Sequence, residues 1–506
     1  MRFFGLIAVM TLSIPYFCHD SINAQTGGMN RQYYFDERST IFRTVLEFHE
    51  DLVVVGQSGT DSSGFTSIFV LLIDTLGNIK NLDFYKDPTL TDDLLLSSYS
   101  YDAVHLSTDG GLAIFGSTLA RNNLYLLKLN NTLEFEYFKE YDSDFLYRSV
   151  NDLVKIDSSY YVIGQVENGT LNLDIFVQKL DIKGTKIWEK TFGSPSYWDT
   201  ALSAISEENG VTILGHESFD PSHTQFNDTH SWTNIFHIDT SGDVQWFWKS
   251  NDREEGFAPT CLKKYNGKYI YLARPSFQVD VQTIWRAAQV VCRNEDFDLI
   301  WRRTYGDTFH LNGFSDFIIG ADEHLYTTGQ IVDGVTWATV YKINQEEGDV
   351  EWIARDTGIY TPGYGSRNLM EGIVELQSGS LIAVGSTFDV WAFKEHGLIL
   401  KVTKEGCVDT ICTTSIIENE ILKPQKLIEV YPNPASENIN FKFNELRPNV
   451  YLKIFNPEGK ILFDQKIDNN KFDVDLNEKT YCSGLYFWQI MTQFRQIESS
   501  GSFIKL

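Results

Sequence analysis

Asp199-Thr200-Ala201-Leu202-Ser203-Ala204-Ile205, a polar turn at Glu207 to Gly210, and Val211-Thr212-Ile213-Leu214-Gly215 open one unit of the chain. Asn234-Ile235-Phe236-His237-Ile238-Asp239, Ser241-Gly242-Asp243 and Val244-Gln245-Trp246 close it. Short runs rich in β-branched and aromatic residues, each bounded by polar or glycine turns, read as four strands. The skeleton recurs along the chain. A strand ending in glycine appears at Gly56, Gly116, Gly164, Gly215, Gly329 and Gly385, with Ala273 in the fifth place. The gaps of 60, 48, 51, 58, 56 and 56 residues lie near the period of a propeller blade, and seven units are counted.

A second marker sits later in each unit, where an Asp or Asn at a hairpin turn precedes an aromatic residue. Asp181 leads to Trp188, Asp239 to Trp246, Asn294 to Trp301 and Asn130 to Tyr137, and Asn344 leads to Trp352 one residue later. Asp and Asn can bond their own backbone in a turn, and Gly184, Gly242 and Gly348 can take positive φ there. A four-stranded blade leaves apolar faces that only its neighbours can cover, so these aromatics are expected between blades rather than on a sugar-stacking platform. No helical period holds over a useful window. The expected fold is all-β: a seven-bladed β-propeller over residues 25–412, a linker over 413–426, and a small β-sandwich over 427–506.

This repeat, with stretches such as Asp109-Gly110-Gly111-Leu112-Ala113-Ile114-Phe115-Gly116, resembles the blade-like repeats of exported surface proteins in bacteria that use type IX secretion. The resemblance spans about residues 31–412 and implies a propeller but no single activity. After it comes Val430-Tyr431-Pro432-Asn433-Pro434, where two prolines flanking Asn force a turn and bar a helix. Strand signals follow at 439–443, 450–455, 461–467 and 485–490, with Asn456-Pro457-Glu458-Gly459 as a hairpin turn. In order, the motif at Tyr431, Pro432, Asn433 and Pro434, the hairpin with Gly459, the strand Gly484-Leu485-Tyr486-Phe487 and the terminal Phe503-Ile504-Lys505-Leu506 resemble a type A sorting domain of type IX secretion. That resemblance implies the secretion machinery as a partner, passage through the outer membrane, and a secreted or surface-held product, usually with removal of this domain.

The start of the chain agrees with export. Met1-Arg2, an apolar run from Phe3 to about Phe17 and a polar stretch ending Asn23-Ala24-Gln25 describe a secretory signal peptide over residues 1–24. Bulky Tyr16-Phe17 before Cys18 does not suit lipidation. No other run is long and apolar enough to span a membrane as a helix. With 42 Lys plus Arg against 68 Asp plus Glu, and no basic run, the chain is a poor partner for nucleic acid. In an oxidising compartment Cys407 and Cys412 can close a short loop, and Cys261 and Cys292 can bridge strands of one unit, leaving Cys482 over.

Chemistry is sparse. No GxSxG elbow, HExxH helix, phosphate loop or dinucleotide fingerprint is present, and no cofactor is indicated. The one local feature is a long insertion at Glu217 to Thr233 with Asp220, His223, Asp228 and His230, flanked by His216 and His237. Imidazole beside carboxylate can ligate a divalent metal, which makes His223 and His230 the candidate ligands, against a solvated loop. The leading function is a binding or structural module whose variable loops meet a surface polysaccharide or protein. The alternative is a secreted polysaccharide- or protein-degrading enzyme with its site at the mouth of the propeller channel.

Overall fold

The computed structural model describes residues 31–408 and 428–505 apart from short connections, of which 60–65, 97–102, 219–230, 251–258, 279–283, 307–311, 357–366 and 444–449 are the longest. The leader at 1–24, the linker at 413–426, His223, His230, Asn433 and Gly459 therefore lie outside the described residues. The chain divides into two compact units, residues 1–413 and 414–506. The described residues hold strands and turns and no helix.

In the first unit, seven antiparallel sheets of four or five strands follow one another among the described residues. Sheet 1 runs through Thr40–Phe48, Asp51–Ser58, Ser67–Ile73 and Ile79–Tyr85. Sheet 2 has a broken first strand, Leu94–Leu95 and Val104–Leu106, then Leu112–Thr118, Leu124–Leu129 and Phe135–Tyr141. Sheet 3 is Tyr147–Ile156, Ser159–Glu167, Leu173–Asp181 and Lys186–Phe192, and sheet 4 is Trp198–Glu207, Gly210–Ser218, Ser231–Asp239 and Val244–Lys249. Sheet 5 is Thr260–Tyr265, Lys268–Ala273, Ala288–Arg293 and Leu299–Tyr305, and sheet 6 is Gly313–Ile319, Leu325–Val332, Thr336–Ile343 and Val350–Asp356. Sheet 7 takes Asn368–Glu375, Leu381–Asp389 and Lys394–Val402, and its outer strand is the early segment Arg31–Tyr33. Each sheet packs on the next, and sheet 7 packs on sheet 1, so the array is a propeller-like ring.

The repeated glycine has a steric cause. In sheets 1, 3, 4, 6 and 7 the first strand carries a one-residue bulge, and the residue just before it pairs with Gly56, Gly164, Gly215, Gly329 and Gly385. A Cβ there would stand 2.2, 1.9, 2.5, 2.2 and 2.0 Å from the carbonyl oxygens of Ile41, Ser149, Thr200, Gly313 and Leu369. Only glycine lets the bulged strand approach so closely. Sheet 5 shifts its register between Thr260 and Leu262, and Ala273 lies one residue past the paired Leu272.

The second marker also has its reason. Asp181 accepts the N–H groups of Lys183 and Thr185, Asp239 those of Ser241 and Asp243, and Asn130 those of Thr132 and Glu134. Gly184, Gly242 and Gly348 take φ of 72°, 80° and 76°, while Leu133 and Phe297 accept φ of 64° and 63° at the same place. The aromatic that follows reaches the turn of the next sheet. Trp301 is buried and its indole N–H donates to the Gln345 carbonyl at 2.9 Å, and Trp188 donates to Thr240 at 3.3 Å. Tyrosines extend this stitching: the hydroxyls of Tyr33, Tyr85, Tyr141 and Tyr305 donate to the carbonyls of Gly77, Leu133, Gly184 and Gly348.

One cysteine expectation is corrected. Cys261 and Cys292 are free and buried. They lie on the first and third strands of sheet 5, with Lys268–Ala273 between them, so about 10 Å separates their strands and a disulfide cannot form. The Cys261 thiol instead donates to Asp316 at 3.2 Å. Cys407 is disulfide-bonded, and Cys412 and Cys482 fall outside the described residues.

The second unit is built from two sheets. Ile428–Tyr431, Asn438–Phe443 and Lys471–Asp475 form one, and Ile461–Ile467, Val450–Phe455, Gly484–Thr492 and Ile497–Lys505 the other. Alternate residues of both, including Ile439, Phe441, Leu452, Ile454, Val474, Trp488 and Phe503, fill a single core.

Candidate functional site

The ring has two unlike edges. The turns between third and fourth strands are short and alike, for example 74–78, 130–134 and 294–298. The connections between second and third strands leave from the opposite edge and vary. They occupy 333–335 in sheet 6 and 119–123 in sheet 2, but 219–230 in sheet 4 and 274–287 in sheet 5, where a hairpin of Ser276–Gln278 and Ile284–Arg286 is inserted. The segment 250–259, between these two sheets, leaves from the same edge. Structural demands are met by the uniform edge, so the variable one is where function can diversify.

At the base of the sheet 4 insertion, register places Asp199, Glu217 and Trp232 in one row across the sheet, on the face toward sheet 3. Glu217 holds the Lys249 ammonium at 2.6 Å, which also lies 4.4 Å from the Trp232 ring centre and 5.5 Å from that of Tyr197. Tyr197 and Trp232 meet edge to face at 6.3 Å. Asp199 is buried and accepts the Ser194 N–H at 2.7 Å. Burial, with the charges of Glu217 and Asp174 added, pushes its carboxyl up to about 7. The row thus joins a carboxyl poised near neutrality, a second acidic side chain against an ammonium, and two half-buried rings.

The histidines that flank the insertion are not drawn into this row. Burial pushes His216 down to about 4, so its ring is neutral. His237 stacks on Trp246 at 5.8 Å, bonds Thr212 at 3.0 Å and has its pKa lowered by burial. Both face the opposite side of the sheet from Glu217. Among the described residues no group of three or more His, Cys, Asp or Glu is placed to hold a metal.

Carboxylates on the innermost strands serve the ring itself. Asp152 accepts the Leu153 and Ala204 N–H groups, both at 2.6 Å, and Asp316 accepts those of Phe317 and Ile373. Glu371 takes the Arg43 guanidinium at 2.6 Å across the seam between sheets 7 and 1. These pairings link neighbouring sheets.

In the second unit, Tyr431 ends the first strand and Pro432 follows it, Pro434 precedes Ala435, and the Ala435 N–H donates to the Ile504 carbonyl at 2.8 Å. This bond brings the proline motif beside the last strand. Gly484 and Leu485 pair with Lys505 and Ile504, and Tyr486 is buried and stacks on Phe503 at 5.4 Å. The proline motif, the Gly484 strand and the terminal strand therefore meet in one small region although the first and last are some 70 residues apart in the chain. The strand Ile497–Lys505 carries no alternation by which to assign it from sequence, whereas Lys471–Asp475 alternates through Phe472 and Val474 but is only five residues long.

No curated protein matches the chain in sequence. Among solved structures, the chain is similar to a polysaccharide lyase, the ulvan lyase of family PL25, with a TM-score of 0.48 and 10% identity over 74% of this chain and 96% of that one. It is also similar to Drosophila Plexin A in complex with Semaphorin 1b, at 0.40 and 7% over 74% and 88%. A third is the β-propeller domain of the Trilobed protease from Pyrococcus furiosus, at 0.39 and 9% over 71% and 93%. Likeness at this level says nothing of activity. Residues 429–500 match the sequence family described as the secretion system C-terminal sorting domain. This chain carries, behind a propeller-like array of sheets, the C-terminal sorting domain that marks cargo of type IX secretion.

Proposed function

We propose that the chain is a secreted or outer-membrane-associated binding protein, in which a seven-bladed propeller at 25–412 presents a ligand surface and a β-sandwich at 427–506 directs export. A signal peptide at 1–24 hands it to the first membrane, and the linker at 413–426 separates scaffold from sorting domain. Tyr431, Pro432, Asn433, Pro434, Gly459, Gly484, Leu485 and Tyr486 carry the sorting function. His223 and His230, in the sheet 4 insertion, belong to the ligand surface.

The observation that carries this reading is the unequal pair of edges: the long connections at 219–230, 250–259, 274–287 and 357–367 all leave from one edge, while the other edge is uniform. The test is an array of surface polysaccharides and proteins probed with the full chain. A variant in which 219–230 is replaced by a connection as short as that of sheet 6 is probed beside it. Loss of the ligand in the shortened variant is expected; binding that survives it places the surface elsewhere.

One observation favours the enzymatic alternative. Asp199, its carboxyl pushed up to about 7, beside Glu217 is the pairing of carboxyl groups that general acid and base catalysis requires. It predicts bond cleavage in a bound polymer, abolished by Glu217→Gln. Polymer that is bound and recovered intact excludes it.

A further inference from the structure

In the fold, the motifs of the second unit divide into side chains its core needs and side chains it does not. Tyr486 and Phe503 are buried and stack on one another inside the core. Phe487 and Ile504 each follow one residue later on the same strands, and successive residues of a strand face opposite sides of the sheet. They are 42% and 46% exposed and stand outside the core.

Register gathers further apolar residues beside them. Phe455 pairs with Phe487 on one side and with Ile461 on the other, so Ile461, Phe455 and Phe487 form one row across three strands. Ile504 stands diagonal to Phe487, whose direct partner is Ser502. Ile461 is 46% exposed and Phe455 is half-buried. The next row on this face is polar: Asp464, Lys453, Gln489 and Ser500, with Lys453 held to Asp464 at 3.2 Å. The outer face of the other sheet is polar too, apart from Tyr431 at its edge, and carries Asn438, Asn440, Lys442, Lys471, Asp473 and Asp475. An apolar row left bare on an otherwise polar unit adds nothing to its core and marks a surface that a partner covers.

We propose that Ile461, Phe455, Phe487 and Ile504 form the surface by which the secretion machinery holds this chain, against a complementary apolar surface on one of its proteins. The inference rests on the reading of residues 427–506 as the sorting unit and names where that unit is recognised. The occupant follows from what the unit is for. Phe455, Ile461 and Phe487 lie within residues 429–500, which match a sorting domain, and Ile504 is the residue whose carbonyl ties the proline motif to the last strand. Area argues against a second copy of the chain. The bare side chains amount to on the order of 300 Å². A two-fold dimer through them would bury roughly 600 Å², short of the roughly 1,000 Å² of a stable interface, whereas machinery that must release its cargo needs only a brief contact.

The test is secretion of the full chain by a bacterium with a type IX system, read as the ratio of exported to periplasmic protein. Phe487→Thr combined with Ile504→Thr keeps residues that suit a strand and removes the apolar surface, and should lower the ratio at least tenfold. Phe487→Leu, which keeps the row apolar, and Asp473→Thr, on the other sheet, should each be exported like the parent. A second readout does not depend on how well a variant folds. Phe487→benzoylphenylalanine, an aromatic for an aromatic, should crosslink on illumination of the cells to a component of the secretion system. Export of the double variant at the parent's ratio overturns the proposal. So does the lack of that crosslink, or a crosslink to a second copy or to another part of the chain in its place. If residues 1–413 are exported as well as the full chain, the sorting reading itself falls. If they are retained while the double variant is exported, that reading stands and this surface falls.

Discussion

Gly164 shows how a single position records the repeat. Its absent Cβ would stand 1.9 Å from the Ser149 carbonyl oxygen, a backbone atom with nowhere to go. Gly164→Ala should lower the stability of the first unit by about 1–3 kcal/mol, read as the midpoint of denaturant unfolding. An unchanged midpoint would mean that the bulge does not require glycine. Asp199 makes a prediction of opposite kind. Its carboxyl is pushed from 3.8 up to about 7 in the fold, so the native state holds a proton that the unfolded chain releases. Stability from this group is full below pH 4 and is lost as pH rises to about 7. Asp199→Asn should gain on the parent across that window, by at most about 1.4 kcal/mol per pH unit, and the difference should be flat above it. Parallel pH profiles for the two proteins would show that Asp199 does not titrate there. Cys261 and Cys292, buried and free, should resist a thiol reagent until the protein is unfolded, and a non-reduced peptide map should show no bridge between them. A bridge would overturn the strand order of sheet 5.

Between neighbouring sheets, tyrosine hydroxyls and tryptophan N–H groups reach the carbonyls of the next turn. Tyr305→Phe keeps the ring and removes only the 2.8 Å bond to Gly348, so a loss of about 1–2 kcal/mol measures that stitch alone. A stability equal to the parent's would reduce it to packing. Much of this element scale is legible in the sequence, because its causes are local. A turn needs Asp or Asn at its first corner and tolerance of positive φ, and both sit within five residues, as at Asp181 to Thr185. The tyrosines were legible too, as a further periodic mark: Tyr141 and Tyr305 stand four residues after Tyr137 and Trp301. The row at sheet 4 was not. Asp199, Glu217 and Trp232 become neighbours only through the register of three strands, and the poise of Asp199 depends on burial against sheet 3. The cysteines misled for the same reason, since spacing in the chain does not tell a first strand from a third.

At the scale of the whole molecule, the chain divides into a scaffold closed by its own early strand and a sorting unit with its own core. Arg31–Tyr33 pairs with Lys394–Val402, and Tyr33 bonds Gly77 of sheet 1, so the last sheet is completed from the start of the chain. The sorting motifs were readable because their turns and strand are short and ordered, and the fold then brings them together around Ala435, Tyr486 and Phe503. The variable edge was harder to read, because loops vary while the repeat that supports them does not. The most direct measurement is fractionation of a bacterium with a type IX system that expresses either the full chain or residues 1–413. The account predicts the full chain at the cell surface or in the medium and the shortened chain, with its sheets folded, held in the periplasm. A shortened chain that reaches the exterior as well as the full one would contradict it.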